Sequence, residues 1–128
     1  MTDAEFVRAF EDCTLEPFHH RDHIRLAWIY LGLYGAPLAA VRISESIRAF
    51  AAHHGKSEKY HETMTQAWMH LVRHAIRLSP SGADFDEMIG RFPDLLDKNR
   101  LAEFYSEAAL NTPAARSGFV PPDRKPLP

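Results

Sequence analysis

Phe18-His19-His20-Arg21-Asp22-His23-Ile24-Arg25-Leu26-Ala27-Trp28-Ile29-Tyr30-Leu31 is the stretch that decides the fold. At about 100° per residue, His20, Ile24, Ala27, Leu31 and Tyr34 fall on one stripe of a helix. His19, His23 and Tyr30 lie on one shoulder of that stripe and Trp28 on the other. Only Arg21, Asp22 and Arg25 remain as a polar strip. A helix apolar around most of its circumference is a central, buried one. Its histidines therefore point imidazoles toward a core, and perturbed polar groups gather at sites.

Helices fill the chain on either side of this stretch. Thr2 and Glu5 form a capping-box pattern, which predicts a first helix to about residue 13 burying Phe6, Val7 and Phe10, with Cys13 as a small core thiol. Pro17 suits the first turn of the second helix, and Gly35 is a natural stop after Tyr34. Pro37 opens a third helix with Ala40, Ile43, Ile47 and Phe50 on one face, ended by Gly55. His53 and His54 then sit at its negative end, where imidazolium is favoured.

A fourth helix begins between residues 58 and 61 and ends near 78. Met64, Ala67, Trp68, Leu71, Val72, Ala75 and Leu78 share its apolar arc, and His61 lies in the middle of that arc. His70 and His74 have an i, i+4 spacing but fall on the polar side with Arg73 and Arg77. A short acidic-capped helix follows from Asp84, then a turn or short helix at Asp94-Leu95-Leu96. A last helix spans 99–110 with Leu101, Phe104, Tyr105 and Ala108 inward. Residues 111–128 carry five of the nine prolines, so this tail reads as extended, either disordered or laid over the helices through Phe119 and Val120. The expectation is an all-α fold: one compact bundle of about five helices over 1–110, with a proline-rich extended C-terminal tail over 111–128.

Composition narrows the function. At 128 residues the chain builds one core comfortably. A net charge of −2 without any Lys/Arg run gives no footprint for nucleic acid or a membrane surface. No apolar run approaches the ~20 residues that span a bilayer. A single cysteine rules out an internal disulfide, and no leader pattern follows Met1, so a soluble cytoplasmic domain is expected. Eight histidines are the outlier.

Two apolar helix faces each begin with histidine, His20 and His23 on one and His61 on the other. Near a positive helix end an imidazole is held neutral, the form that binds a metal or accepts a proton. His20, His23 and His61, with Glu62 as ligand or general base, form a donor set suited to divalent zinc, iron, manganese or nickel. Arg25 would orient a small anionic molecule, a metal-bound water would be the nucleophile, and the tail would cover the site. The competing reading is a non-enzymatic binding or interaction domain, its histidines satisfied by core hydrogen bonds. Glu16-x-x-His19 and Glu58-x-x-His61 also supply ingredients of a carboxylate-bridged di-iron bundle, although Glu16 precedes Pro17 and is pushed toward extended geometry. No Gly-rich phosphate loop and no Gly-x-Ser-x-Gly setting occurs.

Two resemblances bear on these residues. His23-Ile24-Arg25-Leu26-Ala27 is similar to the first element of the histidine-aspartate metallophosphohydrolases, but the later pair here is His61-Glu62 and Asp84, Asp86 and Asp97 lack a matching context. The 18–28 block, Lys59-Tyr60-His61-Glu62-Thr63-Met64-Thr65 and the ending Pro121-Pro122-Asp123-Arg124-Lys125-Pro126-Leu127 resemble a family of small uncharacterised bacterial proteins. That resemblance implies a bacterial helical domain in which these blocks belong together. It implies no activity, cofactor or catalytic residue.

Overall fold

Helices in this chain start where a side chain can take up a free backbone N–H. In the computed structural model, which describes residues 1–128, Thr2 and Glu5 close the expected capping box ahead of helix α1 (Asp3–Glu11). Helix α2 (His20–Tyr34) begins three residues later than Pro17 suggests, because the Asp22 carboxylate accepts the His19 N–H at 2.9 Å and makes His19 the cap. The Glu16–Pro17 peptide is cis. Helix α3 (Ala36–His53) follows α2 through Gly35 alone, whose φ of 75° is a left-handed conformation that glycine adopts without strain.

All regular structure is helical, as the absence of strand alternation requires, and no helix is long and apolar enough to cross a membrane. The chain divides between Tyr60 and His61 into two compact units, Met1–Tyr60 and His61–Pro128. The backbone is extended at Tyr60 and His61, so the 3₁₀ turn Ser57–Lys59 is not continuous with helix α4 (Glu62–Leu78).

In the first unit Phe6, Phe10, Ile24, Leu26, Ala27, Tyr30, Ala39 and Ile43 are buried. Ile47 and Phe50 are half-buried. Tyr30 satisfies its buried hydroxyl by donating to Glu11 at 2.9 Å and meeting Ser46 at 3.0 Å, and burial pushes its pKa up. In the second unit α4 buries Thr63, Thr65, Ala67, Trp68, Met69, Leu71, Val72 and Ala75. Met64 and Leu78, placed on the apolar arc by spacing, are exposed.

Helix α5 (Phe85–Arg91) is capped by Asp84, which accepts the Glu87 N–H. A single helix over 99–110 does not form. A 3₁₀ turn (Lys98–Glu103) is followed by a break, and helix α6 (Glu107–Leu110) restarts under a new cap, Ser106. The cause lies in the last residues of the chain. Arg124 N–H donates to Phe104 O, the Arg124 guanidinium donates to Ala102 O, and Asp123 accepts the Ser106 N–H. Those are main-chain groups that an unbroken helix would have paired internally.

Residues 111–128 are not extended throughout. Helix α7 (Pro113–Ser117) forms with Thr112 as its cap and Pro113 in its first turn, where the missing N–H costs nothing. The extended strap starts at Gly118.

Candidate functional site

The residues singled out from the sequence are distributed over both units. His20, His23 and Arg25 belong to the first, and His61 and Glu62 to the second. No three His, Cys, Asp or Glu side chains surround a common point.

His61 does structural work with both ring nitrogens. As the cap of α4 it accepts the Met64 N–H at Nδ1, 3.1 Å away, so the ring proton sits on Nε2 and is donated to the Leu110 carbonyl at 2.8 Å. His61 is 8% exposed, and its ring ties the start of α4 to the end of α6. Binding a metal would require giving up one of these bonds. Glu62, the first residue of α4, accepts from the Gln66 amide at 3.4 Å.

Arg25 is engaged as well. Its guanidinium donates to Asp3 at 2.9 Å and to the Met1 carbonyl at 3.2 Å, and lies 4.4 Å from the centre of the Phe6 ring. It fastens the start of α1 to α2. Of the residues expected to form a metal set with a substrate-orienting arginine, His61 and Arg25 have the partners just named.

His20 and His23 remain. They are one turn apart at the start of α2, ring centres 6.4 Å apart and edge to face. His23 is half-buried overall, yet its Nε2 is withdrawn from solvent and has no hydrogen-bond partner. Burial, and then the charge of His20 nearby, push the His23 pKa down to about 4. Its imidazole is neutral across the physiological range.

Beside it stands an aromatic cluster. The Phe18 ring lies 6.5 Å from His23, 5.1 Å from Phe10 and 5.1 Å from Phe50. Phe10 and Phe50 stack at 4.9 Å, and Phe50 meets the His54 ring at 4.5 Å. His54, expected to complement the α3 dipole, instead bridges the α1–α2 connection, its Nε2 3.1 Å from Cys13 O and its Nδ1 3.2 Å from Glu16. The sequence marks His23 by its place on a mostly apolar helix, but it marks His19, His20 and His61 equally.

No protein-family profile, no curated protein and no solved structure matches the chain. The geometry of these residues alone carries the functional reading.

Sequence reasoning missed the residues that hold the strap. Thr63, 0% exposed, donates to Gly118 O at 2.8 Å and accepts the Val120 N–H at 3.1 Å. Tyr105 donates to Val120 O at 2.8 Å. Burial and the Asp123 carboxylate push the Tyr105 pKa up to about 12. On the helical wheel Thr63 falls between His70 and His74, on the face read as polar, so the spacing gave no signal for it.

Proposed function

We propose that the protein is a helical binding domain that takes a small molecule at His20 and His23, with Nε2 of His23 as the polar anchor. The observation behind this reading is a buried imidazole nitrogen with no partner, in a chain whose His54 and His61 have both ring nitrogens engaged. Leaving a buried polar atom unpaired costs about 1–3 kcal/mol, and such departures from local consistency concentrate at functional positions. A ligand with an apolar body against Phe18 and a hydroxyl, carboxylic acid or amide at Nε2 would restore the missing bond.

The metal-dependent enzyme reading has less support, because His61 and Arg25 are already engaged. Binding needs only the groups that remain. The bacterial, cytoplasmic setting implied by the family resemblance and the lone cysteine belongs to this same reading.

The test is a ligand-observed NMR screen of phenols, small carboxylic acids and primary amides against the wild type and His23→Leu. Compounds that bind the wild type and are released by the substitution support the proposal. An empty screen, or binding indifferent to His23, contradicts it. Elemental analysis of untagged, chelator-free protein separates the rival: near-stoichiometric zinc, iron, manganese or nickel, lost in His23→Leu, would replace the small-molecule reading with the metal one.

A further inference from the structure

The second unit holds residues 118–125 in the way a receptor holds a peptide. Four hydrogen bonds reach the main chain of this strap: Thr63 with Gly118 O and with Val120 N, Tyr105 with Val120 O, and Phe104 O with Arg124 N. Main-chain recognition of this kind fixes an extended segment whatever its side chains are. Selectivity comes from three further contacts. Asp123 accepts the Ser106 N–H at 2.8 Å, the Arg124 guanidinium donates to Ala102 O at 2.8 Å, and the Phe119 ring stacks on His70 at 5.9 Å.

Three groups on the receiving face, Ala102 O, Phe104 O and Ser106 N, are main-chain atoms at the break between the 3₁₀ turn and α6. They are matched by the strap and by nothing in their own helical turns. Pro121 and Pro122 hold the segment extended before it docks, so little chain entropy is lost on binding. Phe119 remains 45% exposed, and the strap leaves α7 through Gly118 in an extended conformation.

We propose that this face is a docking site for an extended peptide, occupied in cis by residues 118–125 and able to take the same segment from a second copy of the chain. In the exchanged arrangement every bond named above is kept. Cis and trans occupancy then differ only in the effective concentration of the strap, so exchange rises with protein concentration. This inference concerns the second unit and is independent of the His23 reading.

The experiment titrates a fluorescent peptide of residues 117–128 into the full-length wild type and into full-length Val120→Pro. That substitution deletes the N–H that Thr63 accepts and leaves the receiving face intact. The variant is expected to bind the peptide saturably. The wild type should bind at least about tenfold more weakly, because its own tethered strap competes at an effective concentration in the millimolar range. A peptide carrying the same proline should bind neither protein.

Equal binding to both proteins, no binding to either, or indifference to proline in the peptide would overturn the proposal. Should circular dichroism show Val120→Pro unfolded, the Asp123→Ala/Arg124→Ala double variant is read by the same criteria. For the second copy, full-length Thr63→Val (strap intact, face impaired) mixed with Val120→Pro (face intact, strap impaired) should give a heterodimer on size exclusion that neither gives alone. Absence of that species would sink trans occupancy.

Discussion

Between pH 7 and pH 4 the protein is expected to lose about 3 kcal/mol of unfolding free energy through His23 alone. Burial lowers its pKa from an ordinary 6.5 to about 4. Across that window the unfolded chain binds the proton and the native state does not, so stability rises with pH. The contribution is complete above pH 6.5, falls as the pH drops from 6.5 toward 4, and is flat below both values. Each pH unit of displacement corresponds to about 1.4 kcal/mol.

His70, whose pKa is also lowered by burial and then by Arg73, adds to the loss with the same sign. Asp123 acts in a different window. The Ser106 hydrogen bonds hold its carboxyl below the ordinary 3.8, so its contribution disappears only as the pH falls beneath that value.

Urea unfolding at half-unit pH intervals reads all of this. In His23→Leu the slope between pH 6.5 and 4 should largely vanish. At pH 7.5 that variant should gain about 1 kcal/mol, because an unpaired buried polar atom is replaced by an apolar group. Parallel pH curves for the two proteins would show that His23 is solvated or paired.

Thr63→Val should cost roughly 2–4 kcal/mol, since two main-chain groups lose their partner at once. Valine keeps the branched shape and volume, so the helix and its packing are conserved while the hydroxyl is removed. Gly118 O and Val120 N then either stay unpaired or the strap lifts to reach water, and in the second case the loss is capped by the strap's own docking energy. A change of this size is a large fraction of the 5–15 kcal/mol typical of a small domain.

Thr65→Val is the matching control. Its hydroxyl returns only to the His61 carbonyl one turn back, an oxygen that the Thr65 N–H already pairs, and such back-bonds contribute little. Denaturant midpoints and proteolysis within residues 118–128 distinguish the two. A loss below about 0.5 kcal/mol for Thr63→Val would mean that the clamp carries no energy.

Much of the helical layout is legible from spacing and caps. Thr2 with Glu5, Asp84, Gly35 and the apolar stripe of residues 24–31 each announce an element that forms. What escapes the sequence is settled by partners distant along the chain. The periodicity of residues 99–110 is sound, yet that helix is interrupted because Asp123 and Arg124 take the main-chain groups it would have used. The tail is expected to be extended because of its prolines, but Pro113 occupies the one position where proline starts a helix.

The histidines divide for the same reason. On a helical wheel His23 and His61 are equivalent candidates facing a core. Only the Met64 N–H and Leu110 O make His61 a structural ring, and only the lack of a partner at Nε2 leaves that atom of His23 available. Arg25 reads as an anion fork until Asp3 and Met1 are found in its grip.

The most direct measurement is a long-range proton–nitrogen spectrum of the histidine side chains in uniformly labelled protein, recorded from pH 7.5 down to pH 4. The predicted result is a His23 ring that stays neutral at pH 5, with an Nε2 resonance showing no strong hydrogen bond. A His23 ring that takes up its proton near the ordinary 6.5 would contradict the central claim, because its nitrogen would then be a solvated group and not an anchor held open for a ligand.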